Sequence, residues 1–240
     1  MVIRLKEEFY LLKIIKMDIE KEIVSLLNKK ASVKQEVYQI TKDFFSHLQE
    51  ILKNKTNSLN SHIVNKKVKI SYQESGKFDA KLKFSGDTLL FHMHTNIFDF
   101  NSTHQIHKTK YVKEDNLRSF CGVINIYNFL SDSLKYNRLN DTGFLIARIF
   151  INKESNYFVE GDKELGFLFK NFAKQQLDNK KLNDIVNASM QYSLNFDLLA
   201  PDFNDLRTIS VHQILDQNNT HKIKTSKRMG YKLSHETNNW

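Results

Sequence analysis

Apolar side chains recur at steps of three and four through the first part of the chain: Leu5, Phe9, Leu12, Ile15, Ile19, Ile23 and Leu26, with Lys and Glu between them. That spacing gathers them on one face of an α-helix. Past "NKKAS" the rhythm restarts as Val33, Val37, Ile40, Phe44, Leu48 and Ile51, with Ser32 placed to cap a new N-terminus. The pattern predicts two helices of roughly twenty residues, each about 30 Å long. They form a helical pair over residues 1–60 that folds as a hairpin or joins a second chain into a homo-oligomer. Met17 is an alternative start, since "MDIEKEIVSLLNKK" opens a helix by itself.

From Ile63 the period drops from 3.6 to 2. In "IVNKKVKISYQ", Val64, Val68, Ile70 and Tyr72 alternate with Asn65, Lys67, Lys69 and Ser71. After an "ESG" turn, Phe78, Ala80, Leu82 and Phe84 alternate with Asp79, Lys81 and Lys83. A second turn at "SGD" leads into a strand with Leu89, Phe91, Met93 and Ile97 on one face and Leu90, His92, His94 and Asn96 on the other. The alternation predicts a three-stranded meander with one core face. Two runs that follow, "FCGVINIYNFL" and "GFLIARIFIN", are apolar at nearly every position, as in strands covered on both sides, and "NKES" turns the second into "NYFVEG".

Helical spacing returns in "KELGFLFKNFAKQQL" and "KKLNDIVNASMQYSLNFDLL", the latter ending before Pro201, and "LRTISVHQI" reads as a last short strand. The expected fold is α+β: a mainly antiparallel sheet of five to seven strands over residues 61–216, with a long N-terminal helical pair and C-terminal helices. Residues 217–240 lack an apolar period and are expected to form a basic, disordered tail.

Composition narrows the class. The 240 residues are 40% hydrophobic and 12% aromatic, enough to fill a sizeable core. No stretch is long and apolar enough for a membrane span, and charges interrupt the N-terminus where a signal sequence would be apolar. A cytoplasmic protein with no membrane partner is expected. Cys121 is the single cysteine, so no internal disulfide forms, and its apolar setting predicts a buried strand thiol. The net charge of +9 suits an anionic macromolecule, nucleic acid among them, and the excess lies outside the nearly neutral residues 116–216.

Two constellations carry candidate chemistry. The stretch "FHMHTNIFDFNSTHQIHK" holds four of the nine histidines. On a strand, His92 and His94 project from one face roughly 6–7 Å apart. With Asp99 they form a candidate metal set for an enzyme or sensor, the ion and any cofactor being unknown. Over fourteen residues "GDTLLFHMHTNIFD" resembles the first half of the cupin metal motif: Gly86, His92 and His94 fall in place, and Asp99 stands where cupins carry Glu. No second motif with its proline, glycine and histidine follows.

The other constellation is the polar face of the meander, where Lys67, Lys69, Lys81 and Lys83 gather with His92 and His94, and Asp79 is the one acid. Neighbouring cations favour an anionic partner, making these lysines the candidate nucleic-acid-binding set. Tyr72 and Phe84 turn toward the core, so stacking groups are expected to be missing from this face. The leading expectation is a noncatalytic binding module. The alternatives are the metal-dependent enzyme or sensor, and a protein–protein scaffold acting through the N-terminal helices. Nucleophile-elbow and glycine-rich phosphate-loop motifs are absent.

Overall fold

The computed structural model describes residues 18–162, 164–167, 171–197, 200 and 202–212. One helix, α1, runs unbroken over residues 18–62. The reversal that would make a helical pair is therefore not seen. The segment expected to break the helix is a π-helical turn, Leu27–Ala31, leading directly into α-helical Ser32–His62. Ser32 is accordingly no N-cap: it and Leu26 both hold helical backbone angles. The physical reason is composition: "NKKAS" has neither glycine nor proline, and a π-turn absorbs the phase change without releasing the chain.

Past α1 come six strands, β1 (Ile70–Glu74), β2 (Asp79–Phe84), β3 (Asp87–Met93), β4 (Cys121–Leu130), β5 (Phe144–Asn152) and β6 (Tyr157–Gly161). They pair in sequence order, every pair antiparallel, in one six-stranded sheet. The β2–β3 hairpin turns on Ser85 and Gly86 alone, and Ser85 takes φ 56°, the positive angle that a tight hairpin with matching twist demands. The expected strand at Ile63 begins later. Residues 63–69 carry the chain from the helix end back to the sheet, leaving Val64 92% exposed. At the end of that crossing the Asn60 side chain serves as a strand partner, donating to the Ile70 carbonyl at 2.7 Å and accepting from its N–H at 3.0 Å.

The C-terminal part follows the helical pattern only in places. Helix α2 (Asn179–Leu194) forms, capped by Asp178, whose side chain accepts from Lys181 N–H. "KELGFLFKNFAKQQL" is helical only at Glu164–Phe167 among its described residues. Arg207–Ser210 contain no strand, and Ile209 and Val211 are left exposed. The basic tail, residues 217–240, and the first seventeen residues lie outside the described residues.

Helix α1 crosses the inner face of the sheet and, with α2, encloses the main core. Val37, Thr41, Phe45, Leu48 and Leu52 form its buried stripe. Phe45, Leu48 and Leu52 share one cluster with Leu82, Leu89, Phe91, Ile124, Ile126 and Ile149 of the sheet and Leu182, Ile185 and Val186 of α2. Residues on both sides of position 60 thus belong to one hydrophobic core. Each such side chain contributes about 1.5–3 kcal/mol by leaving water. Residues 18–30 remain exposed, with Ile19, Ile23, Val24, Leu26 and Leu27 each at least half exposed.

Helix and sheet approach closely at Gly122 on β4, where a Cβ would overlap the Oγ1, Cβ and Cγ2 atoms of Thr41. Thr41 itself is fully buried, its hydroxyl donating to the Val37 carbonyl at 2.7 Å. Gly122→Ala is expected to cost about 1–3 kcal/mol in chemical denaturation, the usual range for overpacking. Combining it with Thr41→Ala should cost less than the sum of the two single changes; strict additivity would show that this approach is not what excludes a side chain.

Candidate functional site

The outer face of the sheet, away from α1, carries most of its polar and charged strand residues. Strand register arranges it in cross-strand rows. One runs Asp79, His92, Asn125, Arg148, Glu160 from β2 to β6. Its ends are paired: His92 Nδ1 lies 2.7 Å from Asp79 Oδ1, and Arg148 Nε donates to Glu160 Oε2 at 2.8 Å. The next row runs Gln73, Lys81, Leu90, Tyr127, Leu145, and beyond it Ser71, Lys83, Thr88 and Phe129 stand opposite one another. A register shift between Ile126 and Tyr127 sends both Ile146 and Ala147 into the core and leaves Leu145 on the outer face, 42% exposed.

Of the four candidate lysines, Lys81 and Lys83 lie on this face within β2, and neither has an ion-pair partner among the described residues. Lys69 is exposed one residue ahead of β1, and Lys67 stands in the exposed turn before it, where its N–H is bonded by Asn65 Oδ1 at 3.0 Å. Aromatic groups are present after all. Tyr127 occupies the same row as Lys81, two strands away, and Phe98 approaches from the β3–β4 connection. The alternation of the first three strands gave no sign of them, since both arrive from beyond the meander.

The histidines are engaged in folding that connection. The His92 and His94 rings are 6.4 Å apart, close to the expected spacing, but His92 is bonded to Asp79. His94 Nδ1 accepts from Asn96 N–H at 3.0 Å, and its ring meets Phe98 edge-on at 4.6 Å. Asp99 Oδ1 accepts from Phe100 N–H at 2.9 Å and lies 3.8 Å from His107 Nε2. His104 stacks on Phe100 at 4.7 Å and accepts from Ile106 N–H. Among the described residues no three His, Cys, Asp or Glu side chains group as a metal site, so the structure does not assemble His92, His94 and Asp99 into one.

Residues 94–120 instead cover half of the outer face. Ile106 and Val112 pack with Cys121, Val123, Phe150 and Phe172 in a second buried cluster, edged by Phe100, Tyr111 and Phe158. Cys121 is the buried strand thiol expected, its pKa pushed well up by burial and by the nearby Asp99 charge. A polar clamp ties this cover to the β5–β6 turn. Glu154 accepts from Tyr111 Oη at 2.7 Å and from Arg118 Nε at 2.8 Å, Asn152 Nδ2 donates to Tyr111 Oη at 2.9 Å, and Lys153 Nζ meets Asp115 Oδ2 at 2.5 Å. Burial, reinforced by the bond to Glu154, pushes the Tyr111 pKa up to about 12. Burial also raises the Glu154 carboxyl, but the bonds from Tyr111 and Arg118 and the charges of Arg118 and Lys153 outweigh it, and the net shift is downward. Asp115 is lowered chiefly by its hydrogen bond with Lys153.

Where the cover stops, a cleft of about 410 Å³ opens beside it. Its floor is Val123, Asn125 and Tyr127 of β4 with Leu145, Arg148 and Phe150 of β5, and its wall is His94 and residues 98–101. The size lies within the range of ligand sites, and the lining combines aromatic surface with a few polar groups as such sites do. Arg148, the one charge in "GFLIARIFIN", was the available hint that β5 is not covered along its whole outer face. Asn125 and Tyr127 carried no such signal in a run read as buried on both sides.

The fold and face define an α+β protein with a helix-backed meander and a half-covered outer sheet surface. No protein-family model, curated protein or solved structure matches the chain. No described helix is long and apolar enough to cross a membrane.

Acid should loosen the clamp first. Asp115 and Glu154 have folded pKa values below their ordinary ones, so the stability they contribute is present above the unfolded values, about 3.9 and 4.3, and is lost as pH falls through the folded ones. Thermal melts from pH 6 down to about 3 should therefore fall less steeply for Asp115→Asn than for the unchanged chain. Parallel curves would remove Asp115 from this role.

Proposed function

We propose that this chain is a noncatalytic binding module whose uncovered outer sheet face engages an anionic macromolecule, nucleic acid being the best fit. One observation carries the reading: Lys81 and Lys83 stand without carboxylate partners on a face that also presents Tyr127, while the acids of the neighbouring row are taken up by His92 and Arg148. Unpaired lysines contribute by releasing counterions from phosphates, and an aromatic ring beside them adds a surface on which a base stacks. Lys67 and Lys69 extend the same positive edge past the start of β1.

The test is the salt dependence of binding to a single-stranded oligonucleotide. Each lysine–phosphate contact contributes a slope of about −0.7 in log affinity against log salt on a single strand, so Lys81→Gln with Lys83→Gln should flatten the slope by about 1.4. Unchanged affinity and slope would leave the face as a solvated surface only.

A second reading has its own support in the exposed apolar residues of α1 between Ile19 and Leu27, a surface on which copies of the chain can associate. Removing residues 1–31 should lower the mass measured by light scattering to that of one chain while keeping the core folded. Removing 1–58 takes away Phe45, Leu48 and Leu52 and should unfold it. A single-chain mass before and after the shorter truncation ends the scaffold reading.

A further inference from the structure

We infer that the cleft beside the cover receives one unstacked base of a bound single strand, an inference that rests on the nucleic-acid reading of the outer face. The cleft continues that face. Lys81, Leu90, Tyr127 and Leu145 share one row, so the cleft floor begins two strand spacings, roughly 10 Å, from the nearest unpaired lysine. A backbone held along β2 can therefore direct a base toward β4.

The lining suits a base better than a phosphate. Phe98, 39% exposed, and Tyr127 offer π-faces, and Leu145 is apolar surface left open to water at the same place. Stacking on such rings is indifferent to base identity because every base has a π-face. Asn125 carries a donor and an acceptor, the complement of a base edge, and Asn101, whose Oδ1 accepts from Thr103, adds its amide donor. The charges argue the same way. Arg148 is already bonded to Glu160, and Asp99 contributes a carboxylate that repels an anion, so a phosphate gains little by entering. A planar, neutral, hydrogen-bonding group gains from the lining without displacing either.

The experiment uses the full chain with two fluorescent strands of about 12 nucleotides, within the site sizes usual for single-strand binders: an oligothymidylate and an abasic strand of the same length and charge. The unchanged protein should bind the base-bearing strand roughly tenfold more tightly, the effect expected of a stacked base. Tyr127→Leu should reduce that ratio to near one while leaving the salt slope as it was. Equal affinity for the two strands, with the dependence on Lys81 and Lys83 intact, overturns the base cleft and leaves the sheet-face reading standing. Binding to neither strand overturns both. The strand comparison is made on the unchanged protein, so it decides the matter even if the tyrosine variant does not fold.

Discussion

Everything in this molecule depends on how closely α1 lies against the inner face of the sheet. A backbone contact at Gly122 lets the helix sink until Thr41 touches the strand, and its stripe from Val37 to Leu52 is then held among residues of the sheet and α2. With a methyl group at position 122 the helix would have to lift, and a lifted helix forfeits dispersion contacts along several turns. The inner face is thereby sealed.

The outer face is divided by two different interactions. Over β4 to β6 Phe100 of the β3–β4 connection joins Phe150, Phe158 and Phe172 in an aromatic layer, and the clamp of Tyr111, Arg118 and Glu154 holds the connection's far end to the β5–β6 turn. Over β2 and β3 Thr88 is buried against Ser131, while Lys81, Lys83 and His92 stay partly open to solvent. The cleft forms at the border because the cover ends while the sheet continues. The register shift at Ile126 and Tyr127 sharpens the border by turning Leu145 outward next to Tyr127.

The three-stranded meander was legible before any coordinates, because one face of each strand is buried and period-two alternation then has a single solution. Leu82, Leu89, Phe91 and Met93 are fully buried as their spacing required. The helical stripe of Val37 and Leu48 was legible for the same reason. The continuity of α1 was not, since a pause in an apolar rhythm reads alike whether the chain reverses or passes through a π-turn. "LRTISVHQI" shows the opposite failure: β-branched residues suggest a strand, but a strand exists only where an edge is available to pair with it.

The chain's local pattern by itself determined the class of fold, the order of its strands' turns, the core faces of β2 and β3, the burial of Cys121 and the outward placement of Lys81, Lys83, His92 and His94. These follow from periodicity, which acts over a few residues. Only the tertiary structure decided that His92 would pair with Asp79, that His94 would meet Asn96 and Phe98, and that Tyr127, Asn125 and Arg148 would meet Phe98 at one cleft. Those meetings join β3, β4, β5 and a connection of more than twenty residues. Where a run is apolar at nearly every position, periodicity does not say which side will be covered, and coverage is settled by long-range packing alone.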